Sequence, residues 1–320
     1  VTPLSFAAIG VHDLPKTLAF YRDLIGFDLL ASGSAGTGVA AMLGLPQGTA
    51  IETALLAANG CKVGRILLLD IAAPGRKYIR QPGDRTSRGL WNLNFYVDDI
   101  RATGRHLAGL GYELWSDPVE YELGTEAGSA IELLFEGPDG VAINLVQPLG
   151  DLSVFTGRIR AEAARAGRTE TGFTPVATTA NCVYSMERSC TFYETLLGGT
   201  RVLDEVLGRP ETNHFLCRPA DARSHTVFLG TNLFGKLSLN APLNYAVAER
   251  GADAVPPNIG YFAQGFVLTD LATATARAVA AGGVPFGVAA AMTLPGFDGK
   301  RAGLVRSPDE GALAWLVESE

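Results

Sequence analysis

Apolar positions along the chain fall into two rhythms, one suited to helices and one to strands. From Leu14 to Ile25 they recur at Leu18, Tyr21 and Ile25, one face of a helix, and Gly26 stands where that helix would stop. Short apolar runs flank it: Leu4 to Val11 before, then Phe27 to Ala31, Val39 to Leu43, Ala54 to Ala57 and Arg65 to Ile71, all read as strands. The same order returns from Leu90 to Pro148. There Ile100 to Leu110 is the predicted helix and Gly111 its stop, with strands near Tyr112 to Trp115, Ala130 to Phe135 and Val141 to Val146. Gly137-Pro138-Asp139-Gly140 reads as a hairpin turn.

The second half repeats the first. Phe20-Tyr21-Arg22-Asp23-Leu24-Ile25-Gly26 reappears 172 residues later as Phe192-Tyr193-Glu194-Thr195-Leu196-Leu197-Gly198. Asp99 and Asp270 lie 171 residues apart, and Pro138-Asp139 and Pro308-Asp309 lie 170 apart. A period near half the chain length marks two homologous domains. The third unit opens at Ala177 to Val183, has its helix at Met186 to Leu197 and closes at Lys236 to Leu239. The fourth, after a Gly/Pro-marked junction at Gly251 to Gly260, has strand Phe262 to Leu268, helix Leu271 to Ala281 and closing strand Ala312 to Val317. The division is therefore a first domain over 1–150 (units 1–86 and 87–150), a charged, partly helical connector over 151–173, and a second domain over 174–320 (units 174–250 and 251–320).

Composition narrows the function classes. At 320 residues and 47% hydrophobic content the chain has ample apolar mass for two cores. A net charge of -7, with no long basic stripe, disfavours nucleic acid as a partner. No stretch has the length of a membrane span, and Val1-Thr2-Pro3-Leu4-Ser5-Phe6 lacks the pattern of a secretion signal, so a cytoplasmic protein with no membrane partner is expected. Cys61, Cys182, Cys190 and Cys217 are dispersed and read as reduced thiols.

Four βαβββ units, a strand ending in Val-x-Asp, a helix ending in Phe-Tyr-x-x-Leu-Gly and a Pro-Asp-Gly hairpin resemble the vicinal oxygen chelate superfamily, which includes glyoxalase I, extradiol dioxygenases and bleomycin-resistance proteins. The resemblance implies an α+β fold in which pairs of units curl a mixed sheet into a cup with helices outside. It also implies a divalent metal held by a His on first strands and a Glu on last strands. At the first-strand position this chain has Phe6, Asn92, Thr178 and Ala263, and at the last-strand position Asp70, Asn144, Ser238 and Trp315. Zinc or iron needs three or more His, Cys or carboxylate ligands. No metal or other cofactor is therefore predicted, although iron, zinc or manganese through other positions, such as Asp70 with His12 or Glu132, stays open.

Strand alternation turns Leu93, Phe95 and Val97 toward a covering helix and Asn92, Asn94 and Tyr96 into the cup, with Ala142, Asn144 and Val146 inward on the closing strand. If units one and two share a cup, Asp70, Asn92, Asn94, Tyr96 and Asn144 form a polar cluster in it. Asp70 then serves as acid or base and Tyr96 as a further donor, with His12 at the rim as a third catalytic candidate. Thr178, Ala180, Cys182 and Tyr184 face the second cup. Thr178, Cys182 and the stacking surface of Trp315 join the three asparagines as substrate-binding candidates, and parity turns Trp91 away. His106 reads as a surface or packing residue, and His214 and His225 as flanking a loop. Arg76-Lys77-Tyr78-Ile79-Arg80 and Arg85 are either an anion-binding loop or a solvated linker. The reading favours a metal-independent lyase or isomerase acting on a small aromatic or carbonyl-bearing metabolite. An antibiotic-sequestering protein without catalysis is the alternative, and a metal-dependent dioxygenase or glyoxalase-like enzyme with unusual ligands the second. A homodimer is compatible with all three.

Overall fold

The computed structural model describes residues 2–124, 126–309 and 311–319; Val1, part of the opening stretch read above, lies outside them. Unit one comprises β1 (Phe6–Gly10), α1 (Leu14–Ala19) continued by a π-helical turn at Phe20–Leu24, β2 (Asp28–Ser34), α2 (Thr37–Met42), β3 (Ile51–Ala57) and β4 (Arg65–Ile71). Unit two has β5 (Gly89–Tyr96), α3 (Ile100–Gly109), β6 (Val119–Gly124), β7 (Gly128–Glu136) and β8 (Ala142–Pro148), and the connector carries α4 (Phe155–Ala166). Unit three is β9 (Thr178–Cys182), α5 (Met186–Leu197), β10 (Arg201–Leu207), α6 (Pro210–Phe215), β11 (Ser224–Leu229) and β12 (Lys236–Pro242). Unit four is β13 (Gly260–Leu268), α7 (Leu271–Ala280), β14 (Val284–Ala291), β15 (Arg301–Arg306) and β16 (Leu313–Glu318).

The four unit helices start alike. Asp13, Asp99, Ser185 and Asp270 each accept the backbone N–H three residues on, satisfying a donor the helix itself cannot. The Phe-Tyr pairs of the long repeat are buried in one core that gathers α1, α3, α5 and α7 with the helix-facing sides of both sheets. The Pro-Asp repeat has its own task. Asp139, at the unit-two hairpin, accepts the backbone N–H of His12 at 2.9 Å and the Thr17 hydroxyl at 2.5 Å, fixing the start of α1. Asp309 does the same for α5, accepting Ser185 N–H and Ser189 Oγ–H at 2.8 Å each and pairing with Arg188 at 2.9 Å. Each hairpin of a second unit thus locks the helix of the unit before it.

The sheets join differently. One has strand order β14-β15-β16-β13-β1-β4-β3-β2 and the other β10-β11-β12-β9-β5-β8-β7-β6. Units one and four therefore share one cup and units two and three the other, so the condition for Asp70 to join the asparagines, that units one and two share a cup, is not met. Antiparallel seams join them, β1 to β13 with Phe6 opposite Gly265, and β5 to β9 with Asn94 opposite Thr178. A Cβ at Gly265 would lie 2.3 Å from the Phe6 ring, so this seam requires glycine there. Local patterning carries no information on pairing between units, because loop-closure entropy changes only slowly with length.

Two predicted strands are replaced. Val39 to Leu43 lies in and just after α2, since a short apolar run fits a buried helix as well as a strand. Tyr112 to Trp115 makes only an isolated bridge, Leu114 to Phe135. The strands β6, β10, β11, β14 and β15 have no counterpart among the predicted strands. Among the described residues, no helix is long and apolar enough to cross a membrane.

Candidate functional site

The two cups share a scaffold and differ in what fills them. In the cup of units one and four, odd-numbered residues of β4 and even-numbered residues of β1 point inward, placing Phe6, Leu67, Ala263 and Trp315 at corresponding central positions. The Phe6 ring packs 5.0 Å from Phe297 and 5.6 Å from Trp315, and α2 and Met292-to-Phe297 close the space above with Met42 and Leu294. This cup is hydrophobic core. Trp315 is fully buried in it, on the other sheet from the asparagines with which it was grouped.

Asp70 is displaced twice over. It belongs to that same sheet, and its parity matches Ile66 and Leu68, which face the helices, rather than Leu67 and Leu69, which face the cup. Its carboxylate pairs with Arg76 at 3.1 Å, while Arg76 also donates to Val11 O at 2.8 Å. It joins neither Asn92 nor Glu132. His12 is exposed, its backbone rather than its ring bound to Asp139.

The cup of units two and three holds a cavity of about 180 Å³. Asn92, Asn94 and Tyr96 from β5, Asn144 from β8, and Thr178 and Ala180 from β9 line it, as alternation predicts. Cys182 is buried beside Trp91 and Trp115, outside the lining, and burial pushes its thiol up. Tyr184 is exposed, with Arg88 over its ring. Trp91 lines the cavity although parity turned it away. The register of β5 on β9 slips between Leu90 and Asn92, and such a bulge re-aims the extra residue.

Several lining residues had no signal in the first strands. Glu132 on β7 is half-buried and lines the cavity; its Oε1 accepts from the Tyr121 hydroxyl at 2.5 Å and its Oε2 from Asn144 Nδ2 at 2.7 Å. Burial raises its pKa, and these two hydrogen bonds hold the rise back. Asn94 Oδ1 and Asn144 Oδ1 are buried with no hydrogen-bond partner among the described residues. Lys236 and Ser238 enter from β12 and Arg218 from the loop after α6. Tyr121 stacks on Phe215 at 5.7 Å, and Trp91 on Trp115 at 6.4 Å. The connector supplies Phe155, Thr156 and Ile159 from α4, so the segment read as a domain boundary is also a wall of the cavity. His225 binds Asp204 at 2.6 Å on the edge of the sheet, and His214 is exposed on α6 rather than in a hairpin.

The four positions where the resemblance implies metal ligands hold Asn92, Asn144, Thr178 and Ser238 in this cup. Amides and hydroxyls are weak donors for zinc or iron. Glu132, the carboxylate of the cavity, has both oxygens engaged, and no cluster of three or more His, Cys, Asp or Glu suited to a metal occurs among the described residues. These residues do not fit the metal.

Comparison with known proteins bears on the fold. The glyoxalase I of Zea mays superposes with a TM-score of 0.64 at 17% identity, covering 99% of this chain and 92% of that one. A putative dioxygenase from Bacillus subtilis subsp. subtilis str. 168 superposes at 0.57 with 11% identity, covering 99% and 85%. No curated protein matches the sequence. The sequence profile of the Glyoxalase/Bleomycin resistance protein/Dioxygenase superfamily matches residues 4–145. Residues 4–145 thus match the superfamily's profile, and with the helix caps, the repeated units and the two eight-stranded cups described above the chain has the α+β cup fold of these structures throughout.

Proposed function

We propose that the cup of units two and three binds a small aromatic or carbonyl-bearing molecule and moves a proton on it without a bound metal, as in a lyase or isomerase. The observation that carries this reading is Glu132: a half-buried carboxyl group lining the cavity, its pKa raised by desolvation, and fixed by Tyr121 and Asn144. A general base near its working pH needs this combination of desolvation and fixed geometry. The volume is sufficient, since a cavity of roughly 150 Å³ already accepts benzene.

Each step falls to a residue of the chain. Trp91, Tyr121 and Phe215 hold a planar ring by stacking. Glu132 takes the proton, and the amide groups of Asn92 and Asn94 orient the substrate and stabilise negative charge developing on its oxygen. Once Glu132 is protonated its hydroxyl needs an acceptor. Rotation of the Asn144 amide would offer Oδ1, the atom that has no other partner. No step requires a redox change.

The experiment is turnover of a panel of aromatic and carbonyl metabolites by the wild type and Glu132→Gln, with binding measured in parallel. The Gln side chain can donate to Asn144 Oδ1, so the fold should persist. We expect turnover to fall by about 10²–10⁴-fold with binding retained. Stoichiometric iron, zinc or manganese in purified protein would overturn the metal-free reading. The aromatic wall of Trp91, Tyr96, Tyr121, Phe155, Phe215 and Phe228 favours a second reading, sequestration of a planar compound. Ligand bound tightly and returned unchanged would establish that reading and refute catalysis.

A further inference from the structure

Lys236 is the first residue of β12, opposite Thr178 on β9. It is 6% exposed and lines the cavity, with its ammonium 5.5 Å from the centre of the Tyr96 ring. Nζ donates to the main-chain carbonyls of Asn232, at 3.1 Å, and Leu233, at 2.5 Å. An ammonium has three N–H donors, so one is left over. No carboxylate pairs with it among the described residues. Glu162 on α4 is exposed and acts only at a distance, and Glu132 spends its oxygens on Tyr121 and Asn144. Arg218, farther along the cavity near the start of β11, likewise has a hydroxyl partner, Ser224 at 3.2 Å, and no carboxylate among the described residues.

A cation buried without a counter-charge is costly, and the cost is removed when a ligand brings the missing charge. We infer that the cup selects an anionic ligand, a planar molecule bearing a carboxylate, with Lys236 as the binding residue for that group. The inference deepens the proposed function and rests on its assignment of this cup as the ligand site. Desolvation also lowers the Lys236 pKa to about 8, in keeping with a cation that lacks a partner until ligand arrives. Tyr96 and Lys236 then work together: the ring gives the ammonium a weakly attractive wall that cannot compete with a carboxylate for the free N–H. Sequence alternation supports the placement, because Lys236 is in phase with Ser238 and Asn240, which also line the cavity.

The test uses the full chain and two probes of one shape, 2-naphthoate and 2-naphthamide, with affinities from tryptophan fluorescence or calorimetry. The expected result is naphthoate binding at least tenfold more tightly than naphthamide in the wild type. Lys236→Met should abolish that preference while leaving naphthamide affinity within about twofold, and Lys236→Arg should restore it. Equal wild-type affinity for the two probes, or a preference that survives Lys236→Met, overturns the inference and leaves the cup standing as a binding site. Binding of neither probe to the wild type overturns the inference and the ligand-site assignment together. The wild-type comparison decides the question even if Lys236→Met fails to fold.

Discussion

Phe6→Ala tests whether the cup of units one and four is core rather than a site. The Phe6 ring lies at the position where the superfamily resemblance implies a metal ligand, yet it is fully buried between Phe297, Trp315 and the backbone at Gly265. Truncation to Ala leaves a hole on the order of 100 Å³, which at about 24 cal/mol per Å³ costs about 2.4 kcal/mol. Lost transfer free energy adds about 2 kcal/mol, for a total of about 4 kcal/mol. Collapse would recover little of this, because the walls are paired strands β1 and β13 and the large rings packed across them. Urea denaturation followed by tryptophan fluorescence would read the change. With a slope of about 3 kcal/mol/M the midpoint should fall by about 1.3 M. Binding of 2-naphthoate at the other cup should change by less than twofold in the folded variant. A midpoint shift below about 0.3 M, or loss of naphthoate binding with the fold intact, would refute the argument.

Glu132 should leave a signature in stability as well as in turnover. Its folded pKa is raised, so its contribution is fully present below the unfolded value of about 4.3 and is lost as pH rises through the folded value. The stability of the wild type relative to Glu132→Gln should therefore decline with pH across that window in urea titrations, and a difference growing with pH contradicts the burial argument. The seams predict that the sequence halves are not separate folding units. Residues 1–150 alone lack β13 and β9, the antiparallel partners of β1 and β5, and should dimerise or aggregate. Mixing with residues 151–320 should give a 1:1 complex by light scattering, and two stable closed monomers would refute the pairing.

Much of the fold was legible because each unit announces itself locally. The aspartates repeated at Asp99 and Asp270, the Phe-Tyr pairs and the Pro-Asp hairpins are short-range signals, and the structure gives each a specific partner. Inward positions were equally readable on β5 from Asn92 onward, on β8, and on β9 at Thr178 and Ala180, since a strand with a helix on one face repeats every second residue. Pairing between units was not, because it depends on contacts such as Phe6 against Gly265, 259 residues apart by their numbers. Trp91 was misread because a bulge breaks the period of two where it sits. Asp70 was misread because Pro74 lies beyond the end of β4 whereas Pro148 and Pro242 end their strands, so counting back from the proline lands three residues past Leu67, and an odd-numbered error in a strand moves a side chain to the opposite face.

The duplication separates what builds the scaffold from what sets its use. Capping residues and the Asp139 and Asp309 locks act outside the cups, so they constrain helix placement without constraining the inward-facing positions. Those positions therefore differ between the two cups without disturbing the helices. In one they are Phe6, Leu67, Ala263 and Trp315, which fill the space and join α2 in a single core. In the other, Asn92, Asn144, Thr178 and Ser238 leave room, and Glu132 and Lys236 place a carboxyl group and an ammonium group in the lining. Glu132 lies on β7, which adjoins no first strand, and Lys236 lies two residues before Ser238 on β12, so neither stands at an expected ligand position. Under the proposed function the chemistry of this cup rests on groups flanking the positions where the resemblance implies ligands, and exchanging Asn92 or Asn144 for His alone would supply one ligand where a metal site needs at least three.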